Sequence, residues 1–329
     1  MTDSLKDRCY LVTGGAGAIG AGVGQAILDV GGRVVLLDLG ELNAPVLCFG
    51  GPYSNLQATK ALKNKAEFLG IPPERIICTG DVVAYCANPQ QTVDLIRDWG
   101  VHVMMGNCEQ ALGFDADDCG CGFDEGSQCD VLSDEWYQFA SGRLNSAAKL
   151  WMRSLPDVIY LNLFGIPIAV IHGGVDDISA FVFHSTPDNA KQQIINELEI
   201  PSGPIGIIAG HSGLPFTDTN VGGDCLFWHN PGVIGMPAND GTPRAWYSVV
   251  DRDEDGQLCF SHGVLDYCHQ GAAQAMIENG LSPEYKQSLL TGLWPNMDVL
   301  PEWEQKQQGQ QIFAKKITGQ FTGHVAAVD

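Results

Sequence analysis

Short apolar runs that end in glycine or polar residues alternate along the chain with helical stretches. The runs at residues 10–13, 33–37, 46–49, 75–79, 101–105, 166–171, 205–209, 225–229, 244–250 and 257–261 predict strands, and residues 56–68, 89–99, 133–141 and 188–198 predict helices. Strands alternating with helices predict a layered α/β domain. The strand ends carry the chemistry: Phe49-Gly50-Gly51, Gly80-Asp81, Gly106-Asn107, His172-Gly173-Gly174 and Gly210-His211. In α/β sheets ligands gather beyond the carboxyl ends of the strands, so five such ends can surround one site.

A chain of 329 residues with 45% hydrophobic composition can bury a sizeable core, enough for one large α/β domain plus extras. No window approaches ~20 uninterrupted apolar residues, and the first residues lack the basic and apolar regions of a leader, which predicts a soluble, non-secreted protein. The eleven cysteines are spread over the chain, a pattern of reduced core thiols or metal ligands in the cytoplasm rather than of a disulfide framework. A formal net charge of −21 argues against a nucleic acid or an anionic membrane as partner. It also repels phosphate at long range, so a phosphate site must rely on local cations.

Asp81, Asn107, His172 and His211 offer a carboxylate, an amide oxygen and two imidazoles, each just past a predicted strand. Such a set suits one divalent transition ion such as Zn, Mn, Fe or Ni. Taken singly, each also reads as a helix cap or a satisfied loop residue.

The run GDVVAYCANPQQTVDLIRDWGVHVMMGNCEQAL is similar to the GD-x-V…GN-H-[DE] core of bacterial calcineurin-like phosphoesterases, and His172-Gly173 matches their later H-G. Gly210-His211-Ser212-Gly213-Leu214-Pro215 resembles their G-H-T-H-x-P, and Asn230-Pro231-Gly232 with Pro243-Arg244 resembles their closing region. The resemblance runs from about residue 44 to residue 311. It implies a four-layer α/β/β/α sandwich and metal-dependent hydrolysis of a small-molecule phosphoester. Asp81, Asn107, His172 and His211 are then the protein ligands of one of the family's two ions, and Asp81, His172 and Cys108 take the catalytic positions.

The departures from the family fall on the other ion. Gly51 stands where the family has an aspartate, Tyr53 and Gly213 where it has histidines, and Cys108 where it has the histidine of GN-H. The resemblance therefore implies a mononuclear site, unless Tyr53 or a cysteine brings in a second ion. A thiol is a poorer general acid at neutral pH than an imidazolium, so diesters with good leaving groups suffer least from the change at Cys108. A phosphate-binding protein without catalysis is the alternative.

Cys108, Cys119, Cys121 and Cys129 bracket a Gly-rich segment and could hold a soft metal ion, against the commoner fate of small buried hydrophobes. Asp115, Asp117 and Asp118 read as a solvated loop, Trp136, Tyr137, Trp228 and Trp246 as core or pocket wall, Asn55 and Arg244 as braces or substrate guides, and the Gln-rich stretch 305–311 as a polar linker.

The two ends resemble another family. Thr13-Gly14-Gly15-Ala16-Gly17-Ala18-Ile19-Gly20 after a predicted strand, with Asp38 after the next, is similar to the opening βαβ of short-chain dehydrogenases. That likeness implies an NAD site at Gly14, Gly17, Gly20 and Asp38. It divides the chain into a short Rossmann-like βαβ appendage (1–43), the phosphoesterase-like domain (44–311) and a tail (312–329). The Tyr-x-x-x-Lys pair of those dehydrogenases is absent, which makes hydride transfer at most a relic.

Overall fold

The strand Val46–Phe49 faces two interiors at once. Its side chains alternate, so Leu47 and Phe49 pack among helices while Val46 and Cys48 pack toward a second sheet. A sheet that must bury both faces is covered by helices on one side and by another sheet on the other. The computed structural model describes residues 9–13, 33–37, 42–121, 128–198, 203–319 and 321, with residues 9–13, 33–37 and 128–131 described by backbone alone.

In chain order the strands are β1 Cys9–Thr13, β2 Arg33–Leu37, β3 Val46–Phe49, β4 Ile76–Cys78, β5 His102–Val103, β6 Val158–Leu163 and β7 Ile166–Ile171. They continue with β8 Ile205–Ala209, β9 Phe216–Asp218, β10 Cys225–Asn230, β11 Ala245–Arg252, β12 Leu258–Leu265 and β13 Lys316–Gly319. A six-stranded sheet has the order β13-β12-β11-β3-β4-β5, parallel from β3 to β5 and antiparallel elsewhere. A seven-stranded sheet has the order β2-β1-β6-β7-β8-β10-β9. Helices Leu56–Leu69, Pro89–Trp99 and Ser146–Arg153 cover the first sheet through Leu62, Ile96 and Met152, and helix Asp188–Asn196 joins the second core through Ile195. The α/β class read from the pattern, and the two-sheet sandwich that the resemblance implies, are the fold found.

Several elements differ from expectation. Strands β4 and β5 are shorter than predicted because the residues at their carboxyl ends leave the ladder and turn into the site. Strand β6 was not expected, although Phe164 (φ 55°) and Gly165 (φ 79°) form the two-residue turn that folds it antiparallel onto β7. Helices Asn107–Gly113, Ser146–Arg153, His269–Glu278 and Pro283–Thr291 were also not expected.

The N-terminal strands do not stand apart from the main sheets. They extend the seven-stranded sheet, where β1 pairs in parallel with both β2 and β6. Gly14, Gly17, Gly20 and Asp38 lie outside the described residues. The Gln-rich stretch is not a free linker either, since the Gly309 amide donates to the Asn239 carbonyl at 2.9 Å and the Ile312 amide to Asp240 Oδ2 at 3.0 Å. Among the described residues no helix is long and apolar enough to cross a membrane.

Candidate metal centre

Four strand ends from two sheets meet at one point. Asp81 and Asn107 follow β4 and β5 of the six-stranded sheet, and His172 and His211 follow β7 and β8 of the seven-stranded sheet. Asp81, Asn107 and His172 are buried and His211 is half-buried. Asp81 and His211 hold left-handed backbone, with φ of 58° and 56°. Such strain in residues other than glycine persists where the surroundings impose it, and it clusters at functional sites.

His172 Nε2 lies 3.0 Å from Asn107 Oδ1, 3.1 Å from His211 Nδ1 and 3.3 Å from Asp81 Oδ2. Its Nδ1 lies 2.6 Å from the carbonyl oxygen of Thr79. A carbonyl only accepts, so the neutral ring carries its proton on Nδ1 and turns a lone pair toward the other three atoms. These four donor atoms repel one another unless a positive charge, a ring proton or a bound cation, sits among them. The donor set therefore fits a divalent ion, and the Thr79 carbonyl fixes the ligand tautomer.

Without an ion, the Asp81 charge draws a proton to His172, the place that a bound cation would take. Burial pulls the His172 pKa down, but the charge of Asp81, its hydrogen bond and the Thr79 carbonyl outweigh burial and leave it raised. Burial pushes the Asp81 carboxyl up, and the two imidazoles outweigh that and hold it below its ordinary range. Burial and the nearby His172 bring His211 down to about 3, so it stays a neutral imidazole.

A buried carboxylate that sequence reasoning did not single out organises the loops. Glu109 accepts from the backbone amides of Asp81 at 2.7 Å, Val82 at 2.8 Å and Gly106 at 3.1 Å, which ties the loop after β4 to the loop after β5. Burial and the charge of Asp81 push its pKa up to about 7. The acidic fourth position of GN-x-[DE] was the available signal. Asn230 does the same for His211: its side-chain amide donates to the Gly210 carbonyl at 2.8 Å and to Ser212 Oγ at 3.0 Å.

Aromatic rings stand beside both glycines of the half-site with substituted ligands. Gly51 has φ 41°, and a side chain there would meet the Tyr53 ring at 2.5 Å. Gly213 has φ 73°, and a side chain there would sit 3.4 Å from the Trp294 indole. Beyond Asp81, Asn107 and His211, the adjoining cavity of about 90 Å³ is lined chiefly by Tyr53, Tyr85, Phe181, Met236, Tyr285 and Trp294. None of its described lining residues is lysine or arginine.

Cys108 is buried and is not among the residues lining the cavity. Its amide donates to Asp81 Oδ1 at 3.3 Å, and burial with the Asp81 charge keeps its thiol protonated. Cys119 and Cys121 form a disulfide, which removes two thiolates from the soft-metal site that Cys108, Cys119, Cys121 and Cys129 could have made. The side chain of Cys129 lies outside the described residues. Asn55 and Arg244 are braces. Asn55 caps helix Leu56–Leu69 and donates to the Gly235 carbonyl at 3.0 Å, while Arg244 pairs with Asp240 at 2.9 Å.

Residues 35–247 match the family model described as calcineurin-like phosphoesterase. The chain belongs to that family. It has the fold of metal-dependent phosphoester hydrolases and a candidate metal site at Asp81, His172 and His211. Uncharacterized protein MJ0912 of Methanocaldococcus jannaschii is 28% identical over 217 residues, which cover 61% of this chain and 80% of that protein. A metallophosphoesterase from Sphaerobacter thermophilus is similar in fold at a TM-score of 0.57 and 20% identity, covering 76% of this chain and 100% of that one. Hypothetical protein PH1004 from Pyrococcus horikoshii OT3 aligns at a TM-score of 0.61 and 17% identity, covering 76% of this chain and 99% of that one.

Proposed function

We propose that this phosphoesterase hydrolyses phosphodiesters with a single ion held by Asp81, Asn107, His172 and His211. The observation that carries the reading is the convergence of three donor atoms within 3.3 Å of His172 Nε2, beside a half-site where the Tyr53 ring takes the space of a side chain at Gly51. Imidazole, carboxylate and amide oxygen together suit Mn, Zn, Fe or Ni. When bound, such an ion supplies Lewis acidity and a water made nucleophilic near neutral pH.

The residues of the chain do the rest. Asp81 supplies one negative charge, and the Thr79 carbonyl and Glu109 hold the ligands in place before substrate arrives. A divalent ion with one carboxylate leaves one positive charge, which a diester monoanion balances and a monoester dianion exceeds in a buried pocket without lysine or arginine among its described lining residues. Cys108 keeps its proton and orients Asp81 rather than transferring protons. Among the described residues, six buried cysteines, Cys48, Cys78, Cys86, Cys108, Cys225 and Cys259, keep free thiols beside the one Cys119–Cys121 disulfide, which supports a cytoplasmic location.

Metal content and turnover test the reading together. We expect one transition ion per chain by plasma mass spectrometry after purification without chelator. With Mn added, bis(p-nitrophenyl) phosphate should be cleaved at least tenfold more efficiently than p-nitrophenyl phosphate. Bound metal without turnover of either would favour the second reading, a phosphate-binding protein that no longer catalyses, which the rings over Gly51 and Gly213 motivate. No bound metal would overturn the assignment.

A further inference from the structure

The two glycines at substituted ligand positions each lie against an aromatic ring, and those rings belong to a larger wall. Tyr53 meets Tyr85 edge-on with centroids 4.8 Å apart, Tyr85 lies 4.5 Å from Tyr285, and Trp136 backs Tyr85 at 5.3 Å. On the opposite side Phe181 lies 4.3 Å from the His211 ring. We propose that this wall binds a flat aromatic group of the substrate, attached at the ester oxygen or one bond beyond it. The proposal rests on the single-metal reading above and names the class of ester that this site takes.

Proximity, rigidity and chemistry support it. The Tyr53 amide donates to the Asp81 carbonyl at 3.1 Å, so the wall begins beside the ligand set, and a group held there is within a bond or two of a phosphorus near Asp81. Trp294 is fixed at both ends: its indole N–H donates to the Pro237 carbonyl at 2.7 Å and its amide to Asn239 Oδ1 at 2.8 Å. Rings locked before binding lose little freedom when a ligand arrives. Ring faces and edges select another ring in offset or edge-on geometry at 4.5–7 Å. A lining without lysine or arginine among its described residues gives a second charged group nothing to pair with.

Calorimetry with two monoanions that differ by one phenyl ring, methyl benzylphosphonate and methyl methylphosphonate, tests the wall on the full chain in excess Mn. The benzyl compound should bind at least tenfold more tightly. In Trp294→Leu and Tyr285→Leu that preference should fall below about threefold while Mn stoichiometry is unchanged. Equal affinities in the unaltered protein, or a preference that survives in both variants, would overturn the proposal. Mn stoichiometry separates the two claims: Mn bound without aromatic preference sinks the wall alone, and aromatic preference without Mn binding sinks the metal reading and leaves the wall.

Discussion

The Thr79 carbonyl oxygen lies 2.6 Å from His172 Nδ1, so the backbone just past β4 of one sheet orients a ligand presented by β7 of the other. The candidate metal set is therefore a joint between sheets, and it forms only when both are packed. Isolated peptides from either side cannot reproduce it.

The first prediction follows from that joint. His172→Ala removes one donor and the anchor to Thr79, and should weaken Mn binding on the order of 100-fold or more, beyond the 10–100-fold typical for losing an outer partner. His211→Ala should do the same. Titration calorimetry that shows unchanged affinity in both variants would place the ion elsewhere.

Glu109 offers a separate test, because it reaches no ion and acts through backbone amides. Glu109→Gln keeps the shape but sets an amide N–H against amide N–H groups where a carboxylate oxygen had accepted. Mn affinity should drop roughly 10–100-fold, with a loss of about 1–3 kcal/mol in unfolding free energy by urea denaturation. A stability loss with unchanged Mn affinity would reduce Glu109 to a loop brace.

The four candidate ligands stood out in the sequence because each sits beside a glycine at a strand end, and their order is that of the family motif. What surrounds them was less so. Glu109 acts on backbone amides of residues up to 28 positions away, a contact that spacing cannot reveal. Trp294 and Tyr285 reach the cavity from a helical region that the chain pattern did not announce. The rings over Gly51 and Gly213 were invisible for a simpler reason: a substitution tells which ligand is gone, and only packing tells what fills its place. The two-sheet core was legible in β3 because alternation survives when both faces are buried in different surroundings. Strands β4 and β5 were over-extended because their last residues are as apolar as the strands yet serve the site.

Restoring the family aspartate should expose that packing. Gly51→Asp places a side chain at φ 41° and 2.5 Å from the Tyr53 ring, and should cost about 1–3 kcal/mol of stability. Tyr53→His with Gly51→Asp should recover part of that loss, because the smaller ring yields the space. The double-mutant cycle by urea denaturation should therefore show a coupling of about 0.5 kcal/mol or more. Additive effects would mean that the two positions do not compete for the same volume.

A buried imidazole pair away from the metal centre adds its own contribution to the pH dependence of stability. Thr217 Oγ1 lies 2.8 Å from both His229 Nδ1 and His262 Nε2, and His229 Nε2 lies 2.7 Å from Ser248 Oγ. Burial, with the charge of His262, pulls His229 well below its ordinary value, and burial with Lys315 brings His262 down to about 3. Below about pH 6.5 the unfolded chain protonates both rings while the folded chain keeps them neutral, so the unfolded state binds more protons and stability falls as pH falls. The contribution is fully present above pH 6.5 and is lost progressively toward pH 3. Each ring adds about 1.4 kcal/mol per pH unit within that window. His262→Gln replaces a titrating group by one that can still meet Thr217, so the slope of unfolding free energy between pH 6 and pH 4 should flatten by about that amount relative to the unaltered protein. An unchanged slope would mean that His262 takes up its proton without unfolding, and that the polar seam between the sheets opens to water before the domain does.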